Sequence, residues 1–126
     1  MPGETILVVD DNYLNLKLTK VLLDGEGYAV ATAQDAEEAM RFLERVKPRL
    51  ILMDLQLPGM DGLALTRRLK ADPATSPIII LALTAYAMKG DEEKALAAGC
   101  DGYIPKPIDT GTLPGLVAGY LKPKKD

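Results

Sequence analysis

Five side chains stand where they could be put to one chemical use. Asp10 and Asp11 are adjacent acids directly after an apolar run, Asp54 follows a second run, Thr84 follows a third, and Lys106 precedes Pro107 near the end of the chain. Three carboxylates brought to one place repel one another and raise each other's pKa unless a cation sits among them. Oxygen ligands of this kind suit Mg²⁺, which keeps several waters and readily shares a phosphate oxygen. A hydroxyl and an ammonium beside such a cluster suit a phosphoryl group, with Thr84 as hydrogen-bond donor and Lys106 as counter-charge. A carboxylate can itself be the nucleophile, giving an acyl phosphate. The set points to Mg²⁺-assisted phosphoryl transfer onto an aspartate. The chain has no histidine and one cysteine, Cys100. That excludes Ser-His-Asp and Cys-His catalysis, the usual zinc sites and an internal disulfide, and it fits a reducing compartment.

Such a site needs elements that end at one edge. Apolar runs at 5–9 (TILVV), 28–32 (YAVAT), 50–53 (LILM) and 78–83 (IIILAL), with a shorter one at 102–104, read as strands. The first, third and fourth are apolar on both faces, as strands are in a parallel sheet covered by helices on both sides. Between them lie helical patterns. The spacing predicts an inward face of Leu14, Leu18, Val21 and Leu22 for a first helix, ended by Gly25 and Gly27. Asp35 with Glu38 makes a capping box for a second helix. Its predicted inward face is Ala39, Met40, Leu43 and Val46, and Pro48 stops it. Asp61 is the predicted cap of a third helix bearing Leu65 and Leu69, which ends near Asp72-Pro73. A fourth runs from Lys89 to Ala98, stops at Gly99, and has a thin apolar face of Ala95, Leu96 and Ala98. The fifth carries Leu113, Leu116, Val117, Tyr120 and Leu121 at amphipathic spacing, with Pro114 in its first turn and Gly115 and Gly119 weakening it. Cys100, Met40, Met53 and Met60 read as packing residues.

Five repeats of strand then helix imply an α/β fold, a single doubly wound parallel sheet with right-handed crossovers; five strands are too few for a closed barrel. Residues 1–126 read as one domain, with its core at about 5–121 and a tail at 122–126. Ligands of open α/β sheets bind at the carboxyl ends of the strands, and the five polar residues above sit there. A net charge of -3 argues against a nucleic-acid partner. The longest apolar run, 78–83, is far too short to span a bilayer, and no basic region precedes the N-terminal apolar stretch, which argues against a signal peptide. The expected location is the cytoplasm.

ILVVDDN at 6–12, LILMDLQLPGMDG at 50–62, LTA at 83–85 and YIPKP at 103–107 together resemble the receiver domain of two-component response regulators, of the chemotaxis-regulator-like kind. The resemblance covers about residues 5–121. Each motif is weak alone, but four in order at matching spacing are specific. It implies a flavodoxin-like (βα)5 fold with strand order 2-1-3-4-5. It implies that Asp54 is the phosphoacceptor, and that Asp10, Asp11, Asp54 and the backbone carbonyl of Gln56 hold Mg²⁺. Thr84 resembles the switch hydroxyl, Tyr103 the switch aromatic, and Lys106 the lysine that pairs with the phosphoryl group; the bond before Pro107 is often cis in the family. Gln56 and Tyr86 occupy the two positions that tune water access, and Tyr86 is expected to shield the phosphoryl group.

The same resemblance implies a phosphohistidine donor. With no histidine of its own, the chain must take the group from another protein, a histidine kinase or a histidine phosphotransfer protein. The resemblance also implies a downstream protein target reached through helix 4, strand 5 and helix 5, with the first helix, bearing Leu14 and Leu18, as the donor-docking side. The expected molecule is a monomer or weak dimer, without direct contact to nucleic acid or membrane. It is a signalling switch, not a turnover enzyme, and catalyses only its own phosphorylation and dephosphorylation. A stand-alone regulator and a receiver belonging to a larger protein are both compatible with the sequence.

Each residue singly also has a plain structural role. Asp10-Asp11 suits a helix cap before Asn12, Asp54 a turn before Pro58-Gly59, Thr84 a strand end, Lys106 a solvated charge and Tyr103 the core. Their joint placement at successive strand ends favours function. A phosphohydrolase of the haloacid-dehalogenase kind needs Asp-x-Asp at its nucleophile, and here the stretch is Asp54-Leu55-Gln56. A flavin or nucleotide binder needs a loop rich in Ser, Thr and Gly after strand one, and here it is DDNYLN. A docking domain that works without phosphorylation remains an alternative.

Overall fold

The computed structural model describes residues 4–55, 57, 62–84, 89–106 and 108–121, and at 89–92 the backbone alone. Strands and helices alternate: β1 (Thr5–Val9), α1 (Tyr13–Gly25), β2 (Ala29–Ala33), α2 (Ala36–Arg45), β3 (Leu50–Asp54), α3 (Gly62–Ala71), β4 (Ile79–Thr84), α4 (Lys89–Ala98), β5 (Gly102–Pro105) and α5 (Leu113–Leu121). All pairings are parallel, in the order β2-β1-β3-β4-β5. This is the doubly wound parallel sheet expected from the strand patterns, in the flavodoxin-like order that the resemblance implied. β2 and β4 each lie one residue further along than their apolar runs suggest, and β3 includes Asp54 itself.

Alternation along the strands sorts the core into two layers. Leu7, Val9, Ile51, Met53, Ile80 and Ala82 pack with α2, α3 and α4 through Ala39, Leu43, Leu65, Leu69 and Ala95. Ile6, Val8, Leu50, Leu52, Leu81 and Leu83 pack on the other face with α1 and α5 through Leu16, Leu23, Leu113, Val117 and Leu121. Cys100 lies buried in the first layer.

The α2 capping box forms. Asp35 Oδ1 accepts the N–H of Glu38 at 2.8 Å, and Glu38 Oε1 accepts the N–H of Gln34 at 3.0 Å, one residue before the cap. Gly27, with φ of 94°, turns the chain out of α1 in a conformation that favours glycine. α3, α4 and their stops fall where the sequence places them, although the cap Asp61 lies outside the described residues, as do Met60 and the 122–126 tail.

Four helix faces need correction. In α1 the buried residues are Leu16, Thr19 and Leu23. Leu14 is 74% and Val21 62% exposed, Leu18 is exposed, and only Leu22 of the predicted face packs, partly, on the core. Burying a leucine is worth about 1.5–3 kcal/mol, so either leucine stripe of this helix could dock. Its rotation is set at the ends, where Asn12 ties the start of α1 to Asp10 and Gly27 turns it into β2. In α2, Val46 is the extended C-cap and is exposed; Ala36 is buried, and Met40 packs only partly against the core. In α4, Ala95 and Ala98 are inside but Leu96 is 49% exposed. In α5, Leu113, Val117 and Leu121 are buried while Leu116 and Tyr120 are exposed. A stripe of every fourth residue is enough for a nine-residue helix lying on a flat sheet.

Candidate functional site at the carboxyl edge of the sheet

Because all five strands are parallel, their carboxyl ends share one edge. The backbone there is pinned by continuing the sheet ladder one step past the strands. The N–H of Asp10 donates to Ala33 O at 3.0 Å, that of Leu55 to Leu83 O at 3.2 Å, and that of Lys106 to Thr84 O at 2.7 Å. Asp10, Asp54, Thr84 and Lys106 are thereby held in adjacent rows.

Asp10 is fully buried and oriented by its own turn. Its Oδ1 accepts the N–H of Asn12 at 2.9 Å, and the Asn12 side chain in turn accepts the N–H of Asn15 at 3.1 Å to cap α1. Asn12 was not singled out in the sequence for this orienting role. An Asn between an acid pair and a helix is the signal that could have found it. The turn leaves Asp10 Oδ2 facing inward. The Lys106 ammonium lies 3.2 Å from Asp10 Oδ2 and 3.2 Å from Asp54 Oδ2. Lys106 therefore bridges the two buried carboxylates. The contact to Asp10 attracts by charge but is off the direction of a hydrogen bond, and this oxygen has no hydrogen-bond donor among the described residues. Burial by itself would lower the Lys106 pKa; the carboxylates of Asp54 and Asp10 outweigh it and hold the ammonium above its ordinary value.

Asp11 is exposed at the rim. One carboxylate oxygen from each of Asp10, Asp11 and Asp54 falls within a set whose members all lie within 4.8 Å of one another. Among the described residues, three carboxylates face one ammonium in this cluster. Hard oxygen donors gathered this closely, with more carboxylates than ammonium groups among the described residues, fit a divalent cation of the Mg²⁺ type.

Thr84 is buried at the end of β4. Tyr103, on the neighbouring β5, is partly buried against the layer that holds α2, α3 and α4. The structure thus brings Asp10, Asp11, Asp54, Thr84 and Lys106 to one edge, with Tyr103 on the adjacent strand. Gln56, Tyr86 and Pro107 lie outside the described residues. On the helix next to this edge, Tyr13, Leu14, Leu18 and Val21 form an exposed apolar stripe.

Residues 6–118 match the response regulator receiver domain. A similar protein is the polar-differentiation response regulator DivK of Brucella anthropi, 40% identical over 118 residues, which are 94% of this chain and 96% of that one. Among solved structures, a putative response regulator from Chloroflexus aurantiacus J-10-fl is 32% identical with a TM-score of 0.88, covering 93% of this chain and 96% of the other. The receiver domain of sensor histidine kinase PA1611 from Pseudomonas aeruginosa PAO1, with a magnesium ion coordinated in its active-site cleft, is 36% identical with a TM-score of 0.85. It covers 94% of this chain and 97% of its own. With the family matched over most of its length and the acidic edge in place, the chain belongs to the receiver domains of response regulators.

Proposed function

We propose that this chain is a phosphorylation-dependent switch that accepts a phosphoryl group on Asp54. The observation that carries the reading is the Lys106 ammonium, 3.2 Å from both Asp54 and Asp10 at the edge of a three-carboxylate cluster. An Asp54 carboxylate oxygen attacks the phosphorus of a phosphohistidine on a donor protein. The new P–O bond forms as the P–N bond breaks, and the imidazole nitrogen leaves with the electron pair and is protonated. Lys106 moves its attraction from the carboxylates to the phosphoryl oxygens, and the Thr84 hydroxyl donates to another of them. Asp10, Asp11 and Asp54, with the carbonyl of Gln56, would hold Mg²⁺, which when bound neutralises charge on the transferring group. Tyr103 follows Thr84, and the α4-β5-α5 face changes its packing for a downstream protein.

The exposed stripe Tyr13, Leu14, Leu18 and Val21 is the docking side for the donor, a histidine kinase or histidine phosphotransfer protein. The contact of α4 with the core through alanines suits a segment that moves at low cost. No helix of the described residues is long and apolar enough to cross a membrane, and a cytoplasmic location is part of this reading. Its test is intact-mass spectrometry after incubation with acetyl phosphate. A single phosphoryl adduct is expected on the wild-type chain only with Mg²⁺, and none on Asp54→Asn. An adduct formed equally by Asp54→Asn would refute the assignment.

A further inference from the structure

We infer that Gly62 is a positioning residue for Asp54; this rests on the reading of Asp54 as the phosphoacceptor. Gly62 closes the motif LPGMDG and is the first residue of α3, buried against the end of β3. Its N–H donates to Leu55 O at 3.1 Å. A Cβ added to it would stand 2.3 Å from the carbonyl oxygen of Asp54, 2.8 Å from Leu55 Cα and 3.0 Å from the carbonyl carbon of Asp54. All three are backbone atoms, so no rotamer relieves the overlap. Gly62 is not among the glycines with positive φ. The position needs a missing side chain, not backbone freedom.

On the opposite side, Asp54 is in register with Leu83 of β4, and the N–H of Leu55 donates to Leu83 O. The peptide that carries the phosphoacceptor is therefore clamped between β4 and the first residue of α3. One turn into α3, the buried Thr66 hydroxyl donates to the carbonyl of Gly62 at 2.8 Å and holds that first turn in place. A methyl at 62 obliges its contact with the Asp54 carbonyl to open by about 1 Å, and a displacement of that size at the Asp54 peptide can cost up to about 100-fold in rate at a reacting centre. Asp54 would then also sit wrongly against Asp10 and Asp11, its partners in the acidic cluster.

The experiment compares wild type, Gly62→Ala and, as a control helix glycine with open space around it, Gly115→Ala. Adduct formation with acetyl phosphate is followed by intact mass, and Mg²⁺ binding by calorimetry, at a temperature where circular dichroism shows each variant folded. Gly62→Ala is expected to react about 10- to 100-fold more slowly and to bind Mg²⁺ more weakly, while Gly115→Ala matches wild type. A purely structural role would lower the melting temperature and leave the rate and Mg²⁺ affinity of the folded protein unchanged. A folded Gly62→Ala that reacts and binds Mg²⁺ like wild type overturns the inference and leaves the reading of Asp54 intact. No adduct on wild type overturns that reading, and the inference with it. If Gly62→Ala does not fold, Thr66→Val decides, since it removes the hydrogen bond to Gly62 without creating an overlap. Slower reaction and weaker Mg²⁺ binding support the clamp, and wild-type behaviour overturns it.

Discussion

Replacing Lys106 with methionine keeps most of the apolar stem and removes the charge. The side chain is 17% exposed, and its ammonium lies 3.2 Å from a carboxylate oxygen of Asp10 and 3.2 Å from one of Asp54. At that separation and an effective dielectric of about 20, each contact attracts by about 5 kcal/mol. Most of this offsets the desolvation of three charges. Removing one partner of a buried pair leaves that desolvation uncompensated, at a typical cost of about 3–5 kcal/mol. Lys106→Met should therefore lower the unfolding free energy by about 3 kcal/mol in the absence of Mg²⁺. The variant's three carboxylates lack the Lys106 ammonium, so Mg²⁺ should bind it more tightly and restore more stability to it than to wild type. Urea unfolding followed by far-UV circular dichroism at neutral pH, with and without Mg²⁺, measures both quantities. A loss below about 0.5 kcal/mol without Mg²⁺, the range of ordinary surface substitutions, would refute the buried bridge. Equal stabilisation of both proteins by Mg²⁺ would refute the coupling between Lys106 and the cation site. The pH dependence has a defined sign. The folded pKa of Lys106 is raised above 10.5, so its contribution is fully present below that value and is lost as pH rises through the folded pKa. Wild type should lose this part of its stability in the alkaline range, and Lys106→Met should not.

Three further substitutions and one reaction test the packing. Gly115 and Gly119 are exposed on α5 with nothing within 4 Å of an added Cβ, so Ala at either should raise stability by about 0.5–1 kcal/mol; a loss at either would show that α5 needs the glycine. Thr19 is fully buried and its hydroxyl has no hydrogen-bond partner among the described residues. Thr19→Val keeps the shape and should stabilise by about 1 kcal/mol, and destabilisation in urea would mean that the hydroxyl is satisfied in solution. Burial pushes the Cys100 thiol up, against a weaker pull down from the Thr66 hydroxyl. Its reaction with a thiol reagent at mildly alkaline pH should track global unfolding, and rapid stoichiometric labelling of the native protein would contradict this.

Much of the architecture was legible along the chain. Strands apolar on both faces, Asp35 with Glu38, Gly27 and Gly99 each act through neighbours a few residues away, so a local pattern is enough to place the elements they bound. The site's membership was legible for a related reason. In a parallel sheet every strand delivers its next residue to the same edge, so Asp10, Asp11, Asp54, Thr84 and Lys106 could be grouped before any distance was known.

What the linear pattern could not decide was rotation and contact. α1 carries leucines on two stripes, and the wider one, Leu14-Leu18-Val21, is the one left outside. The ends of the helix and the shape of the sheet select the face, and neither is written in hydrophobic spacing. The same holds for Val46, Leu96, Leu116 and Tyr120, apolar residues that stay exposed although their spacing allowed burial. Within the site, only the folded chain shows that Lys106 bridges Asp10 and Asp54, that Asn12 turns Asp10 inward, and that Gly62 lies against the carbonyl of Asp54. Residue types and strand ends are properties of short stretches, and they were enough to place the sheet, its carboxyl edge and the residues gathered there. Contacts between stretches far apart in the chain depend on how whole elements dock, so they emerge only in the folded chain.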